Sequence, residues 1–215
     1  MGQVLGIDFL GSREFPENEG EAEENESIVT FNPDMTIRKC LTQGFRVFAD
    51  SVEELRSPAI RDDPPGEERV ITKLCIRGAC EGDGNENAQD GAGGWFLADD
   101  TQNFAVRLPP TIGTTQAAEF AALVIALQRT RTIEELDITS SSKCLIGLTK
   151  FLPVWEDRGW IGVRNKELIK KAAAELRKRG GDARFRWAKG EEPGLVTALH
   201  NAEKAYESQM QVTWT

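Results

Sequence analysis

One histidine, four cysteines and a concentrated run of cations are the side chains whose types and spacing bear most directly on chemistry. Cys40, Cys75, Cys80 and Cys144 share no Cys-x-x-Cys spacing, and His200 is the only histidine. No zinc set assembles from such residues, and reduced thiols with a lone surface histidine are the simplest reading. Asp83 and Asp90 stand in the glycine-rich stretch EGDGNENAQDGAG, where turn formation explains them without the alternative metal site they also suggest. From Arg164 to Lys189, ten basic residues stand against three acidic ones, a local balance of +7. Lys166, Lys170, Lys171, Lys178 and Lys189 in that run would grip a phosphate backbone, unless they simply solvate an exposed helix. Trp155 and Trp160 can stack on a base or sugar, though aromatic residues more often fill a core.

Acidity is confined to the front of the chain. Of the 26 Lys+Arg and 35 Asp+Glu, residues 1–68 hold 6 and 16, leaving 20 and 19 to the rest. The overall pI of 4.9 therefore does not exclude a polyanionic partner, because binding follows local potential and not the total. The acidic leader could itself fold onto the basic run and compete with nucleic acid for it. No stretch approaches the roughly 20 apolar residues of a membrane helix, and the opening MGQVLGIDFLGSREF ends in charge instead of a cleavage pattern. A soluble intracellular protein, nuclear or cytoplasmic, is the expectation.

These residues must be positioned by one core, for which 215 residues at 40% hydrophobic content are sufficient. Residues 1–67 read as an acidic, partly disordered extension with a docking segment at 27–50, where Ile28, Val29, Phe31, Ile37, Phe45, Val47 and Phe48 supply a strand or hook. Residues 68–210 read as an α/β domain, and residues 211–215 as a tail. RVITKLCIRGAC, GGWFLAD and NFAVRLP predict three strands in an antiparallel meander. TTQAAEFAALVIALQRT predicts a helix capped by Thr114 or Thr115, with Ala118, Ala121, Ala122, Ile125 and Ala126 forming a face small enough to press on a sheet. ELDITSS is a fourth strand, SKCLIGLTKFLPVWEDRGW one or two short helices, NKELIKKAAAELRKRG a longer amphipathic helix, DARFRWAKG a fifth strand and GLVTALHNAEKAYESQ a terminal helix.

That order of elements, with the blocks GACEGDGNENAQDGAGGWF, TTQAAEFAAL, SSKCLIGLTKFLPVWEDRGW and FRWAKG and the tryptophans Trp155, Trp160 and Trp187, resembles the type 1 ribonuclease H domain, most closely its fungal and retroelement versions. The resemblance implies a ribonuclease H-like fold: a five-stranded mixed sheet, three antiparallel strands and two parallel additions, flanked by helices. It also implies hydrolysis of the RNA strand of an RNA:DNA hybrid by two Mg²⁺ or Mn²⁺ about 4 Å apart, held by carboxylates on separate elements.

Several residues depart from that pattern. Where the family has a Thr-Asp-Gly-Ser/Ala-Cys run whose aspartate bridges both metals, this chain has Ile76-Arg77-Gly78-Ala79-Cys80. The family's Thr-Asn-Gln-Arg-Ala-Glu becomes Thr114-Thr115-Gln116-Ala117-Ala118-Glu119, which keeps the metal-ligand glutamate. Its Thr-Asp-Ser-Lys becomes Ser140-Ser141-Ser142-Lys143, its Lys-Gly-His becomes Lys189-Gly190-Glu191, and Ala202-Glu203 is the best counterpart of its Ala-Asp pair. Glu119 and Glu203 are thus the remnants of the catalytic set. Arg77 and Ser141 occupy aspartate positions, and Glu191 the histidine position. Asn87, Thr115 and Gln116 match places that touch nucleic acid in the family. A guanidinium at about 4 Å from a divalent ion costs several kcal/mol even at an effective dielectric of roughly 20, so no metal or other cofactor is expected, and Arg77 is predicted to pair with Glu119.

The resulting expectation is a catalytically inactive ribonuclease H-like module that binds an RNA:DNA hybrid, double-stranded RNA or a protein partner. The alternatives are a weakly active ribonuclease H and a structural subunit that dimerises through its N-terminal extension. No membrane partner is expected.

Overall fold

A computed structural model describes residues 28–31, 70–82, 88–97, 100–109 and 112–205. Its centre is β2 (Ile71–Glu81), an 11-residue strand whose buried middle, Leu74, Cys75 and Ile76, suits a position covered on both faces. β2 pairs antiparallel with β3 (Gln89–Phe96), placing Arg77 opposite Gly93, and β3 pairs antiparallel with β4 (Phe104–Arg107). On its other side β2 runs parallel to β5 (Glu135–Ser140), which runs parallel to β6 (Ala183–Trp187). The meander and its two parallel additions are as predicted.

Among the described residues the sheet nevertheless has six strands, not five. β1 (Ile28–Thr30) lies antiparallel on the outer edge of β6, with Val29 opposite Phe185, giving the order β1-β6-β5-β2-β3-β4. The extension's β-prone residues add to the sheet because β6 would otherwise present unpaired N–H and C=O groups. Phe31 follows with only 4% exposure and donates its backbone N–H to Ala183 O at 2.9 Å. The remaining docking candidates Ile37, Phe45, Val47 and Phe48 lie outside the described residues, as do Asp83, Asn87 and the tail.

Helix α1 (Thr115–Arg129) is capped by Thr114, whose hydroxyl accepts from Ala117 N at 3.2 Å. Every residue from Ala117 to Leu127 is buried, since α1 runs between the sheet and α3 (Lys166–Lys178), and a helix apolar all round can only be an interior one. The small-residue face does press on the sheet: a Cβ on Gly78 would collide with the amide nitrogen of Glu119. KCLIGLTKFLPVWED is a single 15-residue helix, α2 (Lys143–Asp157), which runs through Pro153 and is longer than the 13-residue α3. Trp155 stacks on Phe151, and Trp155 and Trp160 pack against the main core, so both take the structural role. The last helix, α4 (Pro193–Lys204), opens with proline and covers the opposite face of β2 and β3, where Leu195 and Ala198 bury Cys75.

Side chains alternate along β2. Leu74, Ile76 and Gly78 face α1, while Cys75, Arg77 and Ala79 belong to the α4 face.

Candidate functional site

Three segments meet at the carboxyl ends of β2 and β5. β2 brings Arg77, α1 brings Glu119 through the close approach at Gly78, and the β5–α2 junction brings Ser140, Ser141 and Ser142. That junction is tightly tied: Ser140 Oγ accepts from Ser142 N at 3.1 Å, and Ser142 Oγ caps α2 by accepting from Leu145 N.

The expected Arg77–Glu119 pair does not form. Arg77 Nη1 donates to Ser141 Oγ at 2.6 Å, and its Nε is buried without a hydrogen-bond partner. Glu119 is 8% exposed and bonds to the Ser142 side chain, with the Arg77 charge acting on it only through space. Burial pushes the Glu119 carboxyl above its usual range, which the Ser142 bond and the Arg77 charge offset only in part. The geometric reason is facial: Arg77 projects toward the α4 side of β2, whereas Glu119 arrives from the α1 side.

The other carboxylates predicted from sequence are not gathered here. Glu203 is exposed on α4, next to Ala202, whose backbone packs on Gly91 and Gly93, while its own side chain is turned to solvent. Glu191 is exposed in the turn before α4. Asp90 lies in β3 instead of a loop, is 1% exposed, and accepts from Gly113 N at 2.6 Å, which fixes the approach to α1. Among the described residues no group of three or more His, Cys, Asp and Glu could hold a metal ion. The donor set at the strand ends is one buried carboxyl, three serine hydroxyls and a guanidinium, so it does not fit the pair of divalent ions that the sequence resemblance implies.

Gln116 is held at both ends: its Nε2 donates to Cys144 Sγ at 2.8 Å and its Oε1 accepts from Asn165 Nδ2 at 3.1 Å. Asn165 takes a left-handed conformation (φ 54°) to open α3, so this contact joins α1, α2 and α3. Neither Asn165 nor Ser142 stood out as functional in the sequence, although serine before a helix was readable as a cap. Thr115 is the half-buried first residue of α1.

The basic run is divided by the fold. Arg177 pairs with Glu156 at 2.8 Å, Arg184 with Glu135 at 3.0 Å, and Arg186 with Glu192 at 2.7 Å. Arg179 is interior. Lys170 meets Glu167 and lies over the Trp160 ring, and Lys178 meets Glu175, both through exposed contacts of little strength. Lys166 and Lys189 are exposed and Lys171 half-buried. What remains is a sparser cationic face on α3 than the count of +7 implied.

A family model, RNase H, matches residues 77–204. A search of the curated proteins finds no match. Among solved structures, LC9-RNase H1, a type 1 RNase H with the type 2 active-site motif, is similar with a TM-score of 0.54 and 19% identity over 67% of this chain and 76% of that one. The Prototype Foamy Virus protease–reverse transcriptase is similar with a TM-score of 0.51 and 16% identity, over 68% of this chain and 22% of that one. At these identities the structural likeness is one of fold. The family match opens at Arg77 and takes in Glu119, the serine run and the four α-helices of the described residues, and on that extent the chain belongs to the RNase H family.

Proposed function

We propose that this RNase H domain binds an RNA-containing duplex, an RNA:DNA hybrid or double-stranded RNA, without cleaving it and without a divalent ion. The observation that carries the reading is Arg77, a cation hydrogen-bonded to Ser141 where the family's metal-bridging aspartate would face a second aspartate. Two-metal hydrolysis needs concentrated negative charge, and a guanidinium removes it. Lys166, Lys170, Lys171 and Lys178 on α3, with Lys189 beyond β6, supply the cations that would meet the backbone, and Gln116 stands at the head of α1.

The test is to incubate the chain with an end-labelled RNA:DNA hybrid in Mg²⁺ and in Mn²⁺. The RNA strand is expected to stay intact, and the hybrid to be retained with an affinity that falls as salt rises. Cleavage by the wild-type chain that disappears in E119Q would instead make this a weakly active ribonuclease H, a reading favoured only by the survival of Glu119. K170A/K171A should weaken retention without regard to sequence; unchanged retention would move the interface off α3.

A further inference from the structure

We infer that Arg77 is itself a phosphate-binding residue, holding a backbone phosphate of the bound duplex directly, at the place where metal ions serve that purpose in active relatives. The inference rests on the proposed binding of an RNA-containing duplex and specifies its central contact.

Three observations converge on Arg77. Its guanidinium has no carboxylate partner among the described residues: one donor goes to the neutral Ser141 hydroxyl and Nε has no partner at all. A guanidinium so placed has no ion-pair partner to neutralise it, and its planar fork matches phosphate oxygens. By contrast, Arg177, Arg184 and Arg186 are each closed by a glutamate, so this chain does pair its arginines where pairing is their role. The third observation is Gly190. A Cβ there would come to 3.1 Å from Arg77 Nη1, so any side chain at 190 would crowd the guanidinium. Lys189 and Lys143 flank the same strand ends, one residue before Gly190 and one after Ser142, and extend positive potential around the position.

The experiment is fluorescence anisotropy of the full chain with a labelled RNA:DNA hybrid, in EDTA and in Mg²⁺, across a salt series. Wild-type affinity is expected to be the same in EDTA as in Mg²⁺. R77Q should raise Kd roughly tenfold or more and make the salt dependence shallower by about one phosphate contact. R77K should retain the salt slope while losing affinity. G190V, which keeps the charge but crowds the guanidinium, should weaken binding like R77Q if approach to Arg77 matters. Thermal melts of all variants report folding, and R77K with G190V carries the test should R77Q unfold. A wild type that binds the hybrid while R77Q and G190V bind equally well, or one whose binding requires Mg²⁺, overturns the role of Arg77 and leaves duplex binding standing. A wild type that binds no hybrid in either buffer overturns the proposed function itself.

Discussion

Glu119 shows how one substitution changes the behaviour of a neighbour. In a site built for cations a buried glutamate is stabilised as an anion, whereas here it sits 8% exposed beside one hydroxyl, with the guanidinium turned to Ser141. Desolvation dominates and the carboxyl is held above its ordinary range. Because the folded pKa exceeds the unfolded one, the folded state binds the proton more tightly. The associated stability is fully present below the usual carboxylate range and is lost as pH rises through the raised value. E119Q, which mimics the protonated group, should therefore melt with the wild type at acid pH and above it at neutral pH. Melting temperatures of both proteins across pH 4 to 8 decide this, and a wild type that gains on E119Q as pH rises would contradict it. Sequence identified Glu119 and Arg77 as the residues that matter. It paired them wrongly, because the side of the strand from which each arrives is not written in the spacing.

Among the elements, the junction between α3 and β6 depends on Arg179. It reads in sequence as one more cation of a basic helix, yet it closes the C-terminus of α3 with 3% exposure. Its guanidinium donates to Thr130 Oγ1 at 3.0 Å, Arg131 O at 2.6 Å and Glu134 O at 2.9 Å, clamping the connection between α1 and β5. Burial lowers its pKa to about 10, still far above neutrality, so it stays charged and the carbonyls must solvate it. R179M should lose about 3 kcal/mol of stability in denaturant titrations, since three acceptors are left without their donor. A loss like that of an exposed lysine, below about 0.5 kcal/mol, would place Arg179 on the surface after all. The helices were legible from period and caps, as Thr114 before α1 illustrates. The distribution of cations between interior, ion pair and surface was not, because helical spacing says nothing of what lies on the far side of a turn.

For the molecule as a whole, the sheet is completed by residues distant in sequence. β1 protects the edge of β6, and Phe31 enters the main core beside elements more than a hundred residues away. F31A should lower stability by about 3 kcal/mol, in keeping with removal of a buried phenylalanine. It should leave the far-ultraviolet spectrum of the folded protein unchanged, because only a three-residue strand depends on it. Equilibrium unfolding measures both, and a cost under about 1 kcal/mol would mean that the strand contributes little to the fold.

The sequence alone determined the order of strands and helices, the family, and the presence of arginine in the central strand, because alternation, helical period and motif spacing are local properties of a chain. Tertiary structure decided the sixth strand, the fate of the cations, and the choice of Ser141, 64 residues away, as the partner of Arg77. Those outcomes depend on which face each element turns to its neighbours, and that is settled only when the layers pack.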